Sequence, residues 1–362
     1  VIDFRYHLVS LISVFLALAV GIALGAGPLK ETIGDTLTGQ VDQLRAEKDT
    51  LRTDLDSAAS DLAANEAWID AAGTDLVAGT LTERRVAVVA LGAVDADTSA
   101  AVEARLTAAG ATISARATLT DAWTSTDLRQ FRSALVSSIL AYLDPQPADD
   151  ASVDTSLAEA LVQGLTGADA ADPNQLSSSA STLLDFVTTG DDPLVTLDEA
   201  VTAPADAIVL LAPAIDPRTT TDEATPDADQ QQAVLASQIA LATVAQNRSE
   251  GAVVVDGPLA EGSLTAAVLA DEDAARTVTT VSDADEVTGQ VAVPLALNAR
   301  IGGSGGHYGA GEGLTVIPTA TTLVPVDRTP TPTGTDPAST DGAGDGTVDG
   351  AGTEGGGAGT EG

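Results

Sequence analysis

The sequence predicts an α/β protein carried on a membrane helix, made of a transmembrane anchor, a coiled coil, a mostly parallel α/β domain and a disordered tail. Three observations predict it: an uncharged apolar run from Leu8 to Ala26, a heptad repeat that starts at Leu37, and an alternation of short β-branched runs with helix-length segments from Arg85 onward. The corresponding boundaries are 1–28 for the anchor, 29–78 for the coiled coil, 79–328 for the α/β domain and 329–362 for the tail.

The anchor follows from length. A helix needs about 20 apolar residues to cross roughly 30 Å of hydrocarbon, and Leu8–Ala26 supplies them without a charge. Arg5 and His7 precede the run while Lys30 and Glu31 cancel after it, so the positive-inside tendency puts the N-terminus in the cytoplasm and the rest of the chain outside. The competing reading is a cleavable signal peptide ending near Ala23-Leu24-Gly25, whose apolar core would ordinarily be only about 7–15 residues.

The heptad segment places Val41, Lys48, Leu55, Leu62 and Ile69 at one core position and Leu37, Leu44, Leu51, Ala58, Asn65 and Ala72 at the other. Spacings that alternate between three and four describe a helix with a single apolar seam, which wants a partner. The seam predicts self-association or pairing with another coiled-coil protein, through Leu37, Val41, Leu44, Leu51, Leu55, Leu62 and Ile69. Packing of the helix on its own domain, or an exposed stalk, is the alternative. Lys48 and Asn65 would cost stability in the seam but select register or partner. Gly73 is expected to end the helix, with Gly79 completing a short joint.

Arg85-Val86-Ala87-Val88-Val89-Ala90-Leu91-Gly92 has the composition of a strand buried on both faces. Thr98–Ala109 then reads as a helix and Gly110–Ile113 as the start of a second strand, completing a βαβ unit. The pattern returns with strands at Asp206–Leu211, Gly251–Asp256 and Arg276–Val281, and helices at Gln230–Ala245, Glu261–Leu269 and Asp283–Leu297. Such alternation implies a Rossmann-like sheet with helices on both sides. Residues Thr126–Gly190 read as an insertion or covering layer. The tail lacks the apolar surface needed to offset ordering entropy.

Composition and missing motifs exclude several functions. Sixteen Lys and Arg stand against 53 Asp and Glu, for a net charge of −37, so no basic surface for nucleic acid can be assembled. The turn after the first strand, Leu91-Gly92-Ala93-Val94-Asp95-Ala96-Asp97, presents carboxylates where a nucleotide would need backbone N–H groups, and it carries neither G-x-G-x-x-G nor a Walker loop. Asp97 or Thr98 is expected to cap the next helix, with a weak cation or sugar contact at Asp95 and Asp97 as the functional alternative. There is no G-x-S-x-G elbow either, and no catalytic residue or cofactor site is identified; the chain does not read as an enzyme. Cys and Met are both absent and His7 and His307 are the only histidines. Cu(I) prefers thiolate and thioether donors and Cu(II) prefers several imidazoles, so His307 is a weak metal candidate and a tight copper site in one chain is not expected. The glycine loop Gly302–Gly311 encloses Gly305-Gly306-His307-Tyr308-Gly309. Its glycine density suits either a flexible connector or a docking loop for an anion or a partner.

Two segments carry a family resemblance. Ile2-Asp3-Phe4-Arg5-Tyr6-His7-Leu8-Val9-Ser10-Leu11 with its continuation to Leu29, and Gly305-Gly306-His307-Tyr308-Gly309, resemble the N-terminus and the GHYG stretch of the actinobacterial MctB family. The resemblance implies an envelope protein with a role in copper transport and homeostasis. Copper enters through this resemblance only. One helix cannot enclose a pore, so transport by such a chain implies an oligomer. Some relatives also look like divisome proteins that influence cell-wall hydrolases, which implies a scaffold as the other role.

Overall fold

The computed structural model describes residues 4–26, 28–215 and 228–330, with side-chain environments in the second helix described from residue 37. In chain order the elements are α1 (Phe4–Ala26), α2 (Pro28–Val77), β1 (Arg85–Ala90), α3 (Ala96–Ala108), β2 (Thr112–Leu119), α4 (Arg129–Ile139), α5 (Val153–Thr166), α6 (Ser178–Thr188), β3 (Val195–Leu197), β4 (Ala207–Leu211), α7 (Ala228–Arg248), β5 (Gly251–Val255), α8 (Leu264–Ala270), α9 (Glu272–Thr277), β6 (Thr279–Val281), α10 (Val287–Ile301) and β7 (His307–Tyr308). Thr329 and Pro330 apart, the tail expected from residue 329 lies outside the described residues.

Among the described residues one helix is long and apolar enough to cross a membrane, spanning Phe4–Gly25 with no part buried against the protein. The whole helix, α1, runs to Ala26 and contains the run that predicted it.

The seven strands form one sheet in the order β3-β2-β1-β4-β5-β6-β7. All neighbours are parallel except β3, which runs antiparallel to β2 at one edge. The strands in the middle are apolar throughout because both faces are covered. Ala87, Val89, Ile208, Leu210 and Val254 face a core shared with α5, α6 and α7, whereas Val86, Val88, Val209, Val253 and Val255 face one shared with α3 and α10. The segment Thr126–Gly190 supplies α4, α5 and α6, which are the covering layer expected of it.

Several boundaries differ from the sequence reading, each for a local reason. Asp95 caps α3, its Oδ1 accepting from the backbone N–H of Asp97 at 3.1 Å and of Thr98 at 3.0 Å, so the cap lies just before the residues expected to provide it. These bonds hold the Asp95 carboxyl below its usual range. The helix expected from Glu261 starts at Leu264, where Ser263 caps it. The run Arg276–Val281 splits, because Asp271 caps a short helix through Thr277 and leaves only Thr279–Val281 for the strand.

Gly73 does not end α2, which continues to Val77. It marks instead where α2 crosses α10, since a Cβ built at Gly73 would fall 2.4 Å from Val291 Cγ2. Only a residue without a side chain lets the two helices approach this closely. Arg105 of α3 secures the same crossing by donating to Thr74 Oγ1 at 2.7 Å and pairing with Asp70. Val77 and Leu81 complete it inside the core beneath α10.

Asn298, fully buried on α10, ties the segments before β1 and after β7 to this joint. Its Nδ2 donates to the carbonyls of Thr80 at 2.7 Å and Thr321 at 3.0 Å, and its Oδ1 accepts from the Thr321 backbone N–H at 2.6 Å. The strap beyond it is held by Arg84, which donates to the Val324 carbonyl at 2.8 Å, and by Arg328, which pairs with Asp206.

Candidate functional site

Two surfaces hold the residues singled out in the sequence, and they do not meet. The first is the seam of α2. Leu37, Val41, Leu44, Leu51, Leu55 and Leu62 lie on one side of the helix and range from 41% exposed at Val41 to 70% at Leu55. Side chains of this type are more often covered in a folded protein, and here nothing within the single chain covers them. Ile69 departs from the set. It is half-buried, as is Ala72, and Gly73 and Val77 behind it are buried, so from Ile69 onward the seam is used to dock α2 on α3 and α10. Packing on the chain's own domain therefore describes the end of the helix, and an uncovered stalk describes the rest. Flanking pairs such as Arg45–Asp42 are exposed on both sides and contribute little by themselves.

The second surface is the glycine loop. Its central residues form a sheet edge, a role beyond either of the two expected for it, a flexible connector or a docking loop. His307 and Tyr308 form β7 against Thr280 and Val281 of β6. His307 Nδ1 lies 3.0 Å from Thr280 Oγ1 and Nε2 lies 3.0 Å from the Ala275 carbonyl. A neutral ring satisfies both contacts, with Nε2–H donating to the carbonyl and Nδ1 accepting from the hydroxyl. Neither nitrogen has a lone pair left for a metal in this arrangement. Tyr308 is buried, and burial pushes its hydroxyl above the usual tyrosine value. Gly305 packs under Arg300, and Gly306 lies on the Tyr308 ring. Gly309 has φ +140°, and a Cβ there would fall 2.9 Å from Ser282 Cβ, so the chain can turn over β6 at this position only with glycine. Asp283 locks the turn by accepting from the Ala310 N–H at 2.7 Å.

The place where a Rossmann-like fold would bind a ligand is narrow among the described residues. Strand order reverses at β1, so the ligand crevice would open beyond the carboxyl ends of β1 and β4. There Pro213 Cγ lies 3.2 Å from where a Cβ on Gly92 would be. The depression beside it, bordered by Asp95, Asp256 and Asp285, has room for only about 30 Å³, against about 300–1,000 Å³ for a usual small-molecule site.

Asp256, at the end of β5, carries no signal in the sequence, yet it is almost fully buried. It accepts the N–H of Gly257 and of Thr265, each at 2.8 Å, and so fastens β5 to the start of α8. Burial pushes its carboxyl above the ordinary carboxylate range, against the pull of those two donors. The folded state thus holds this proton more tightly than the unfolded chain does. Its contribution is stabilising below the ordinary carboxylate pKa and is lost as pH rises through the raised folded value. Urea denaturation of the parent and of Asp256→Asn from about pH 4 to pH 7 should show the parent losing ground relative to the variant as pH rises. A difference independent of pH would rule this out.

Among the described residues no group of three or more His, Asp or Glu side chains is placed to hold a metal ion. With no Cys or Met in the chain and both His307 nitrogens engaged, the donor set does not suit Cu(I).

Residues 1–318 match the family described as "Copper transport outer membrane protein, MctB". The chain is 29% identical over 320 residues to the protein named "Copper transporter MctB" of Mycobacterium bovis, and to the protein of the same name in Mycobacterium tuberculosis. Each alignment covers 86% of this chain and 97% of the relative. With the family match extending over the anchor, α2, the whole sheet and the GHYG edge, this chain belongs to the MctB family.

Proposed function

We propose that this chain is a single-pass protein of the cell envelope, anchored by Leu8–Ala26 with its N-terminus in the cytoplasm and its α/β body outside, that serves copper efflux and homeostasis as an oligomer. Family membership supports the copper role. The observation that carries the oligomer is the uncovered seam of α2. A single helix such as α1 cannot enclose a path for an ion, and the body offers no soft donors, so copper handling falls to an assembly rather than to a site in one chain. Deleting the gene in the host and measuring growth against copper tests the role. Growth should fail at a lower copper concentration and be restored by the parent chain. Unchanged copper tolerance would overturn it.

A second reading is favoured by the donor chemistry of the body: a scaffold without transport activity that displays α2 and the α/β body to divisome or cell-wall hydrolase partners. Co-purification from host membranes separates the two. A hydrolase or divisome protein retained by the parent and lost with seam substitutions supports the scaffold.

A further inference from the structure

We infer that the partner of the α2 seam is a second copy of this chain, running parallel and in register, with Glu47 of each copy paired to Arg52 of the other. The inference rests on the self-association reading and adds the occupant, its direction and its register.

Charge decides the direction. With Val41, Lys48, Leu55 and Leu62 at one core position and Leu37, Leu44, Leu51 and Ala58 at the other, the flanking positions separate by sign. Glu47, Asp54 and Asp61 line one side of the seam, and Arg45 and Arg52 line the other. Antiparallel helices bring like flanks together, and where Leu37–Leu62 of the two copies overlap fully this sets Glu47 against Asp54 and Arg45 against Arg52. Parallel helices bring each flank against the opposite one, five residues further along. Glu47 then meets Arg52 of the second copy, Gln40 meets Arg45, and two-fold symmetry makes each contact twice. Two pairings are unfavourable: Lys48 faces Lys48 of the second copy, relieved by the Glu47 carboxylates beside it, and Asp61 meets Glu66 at the end of the seam, where α2 begins to turn onto its own body and Glu66 is already half-buried. The anchors agree. Both copies of α1 reach one membrane only when the helices run the same way, because α2 is 50 residues long, or about 75 Å.

The polar seam residues decide the register. In register, Lys48 inserts into a hole formed by Leu44, Glu47, Lys48 and Leu51 of the second copy, where Glu47 receives its ammonium. Asn65 meets Asn65, and the two amides can bond each other. A shift by a heptad places Asn65 against Ala58 or Ala72 and removes its amide partner, and it leaves one of the two Lys48 side chains against Val41 with only Gln40 beside it, which costs free energy in a dehydrated seam. A Lys at a core position also favours two strands over three, since the dimer leaves that position closer to solvent.

The chain has no cysteine, so engineered thiols report the geometry directly. Leu37→Cys, Leu44→Cys, Leu51→Cys and Ala58→Cys are made one at a time in the full chain, purified in detergent and mildly oxidised. Facing core positions of a parallel pair come within disulfide reach, so all four variants should run at twice the 36.1 kDa of the single chain. An antiparallel pair joins at most one of the four, and a staggered pair joins none although light scattering still reports a dimer. Either result overturns the inference while leaving self-association standing. A monomer by light scattering overturns both. Independently, Glu47→Arg should weaken dimerisation roughly tenfold by reversing two exposed pairs, and adding Arg52→Glu to the same chain should recover most of that loss. A Glu47→Arg variant that dimerises like the parent overturns the pairing.

Discussion

Replacing Leu44, Leu51 and Leu55 together by Asp in the full chain is expected to leave it monomeric while the α/β body melts as in the parent. In the single chain these leucines are exposed at 64, 57 and 70%, so their replacement removes no contact within the fold and should alter its stability by no more than about 0.5 kcal/mol per site. In an associated pair each would bury a side chain worth about 1.5–3 kcal/mol, and three carboxylates per chain would be forced into the seam without partners. Six lost leucines amount to about 9–18 kcal/mol on that scale, so association should weaken by far more than a thousandfold. Sedimentation of parent and variant in detergent measures it. If both sediment as monomers, self-association is wrong and the seam belongs to another protein; if both remain associated, the contact lies elsewhere on the chain.

The elements legible in the sequence are those whose signal is local. Arg85–Ala90 reads as a buried strand because five of its residues are apolar and glycine closes the run at Gly92, and β4 and β5 read the same way. The seam of α2 is equally plain, since a heptad needs no knowledge of the rest of the fold. The edge strands β3 and β7 are three and two residues long, too short to show any period, and only pairing with the neighbouring strand defines them. Gly73 illustrates a second limit: the same residue serves as a helix stop or as a close crossing, and Val291, which decides between them, is far along the chain.

The candidate site follows the same division. The heptad from Leu37 to Leu62 was legible, and the structure adds only that these residues lie exposed on the single chain. Ile69 has the same heptad position but a different fate, because the body reaches back and covers the last turns of the helix. His307 was legible as an unusual residue in a glycine-rich loop, but its environment was not. Thr280 and Ala275, which engage its two nitrogens, lie 27 and 32 residues earlier and are brought to it only when the sheet forms. Asn298 and Asp256 gave no signal at all, since a buried polar residue is recognised by the backbone groups it satisfies and these come from distant segments.

The body's stability should depend most heavily on Trp123, which lies in a short turn between β2 and α4 and is 1% exposed. Its ring belongs to the core that joins the sheet to the covering helices, and its Nε1–H donates to Ser237 Oγ of α7 at 3.1 Å. Trp123→Ala removes the largest buried side chain of that core and leaves a cavity that backbone packed on several sides cannot close. The expected loss is about 3–5 kcal/mol, which for a body of this size lowers the melting temperature by roughly 6–20 °C. Trp123→Phe keeps most of the ring contacts and gives up the indole bond to Ser237, so its cost should be nearer 1 kcal/mol. Thermal unfolding of the three chains gives the order parent, Phe, Ala. Because Trp123 is far in sequence from the seam, both variants should still associate through α2 below their melting temperatures, and an alanine variant that melts with the parent would show that this core does not hold the covering layer to the sheet.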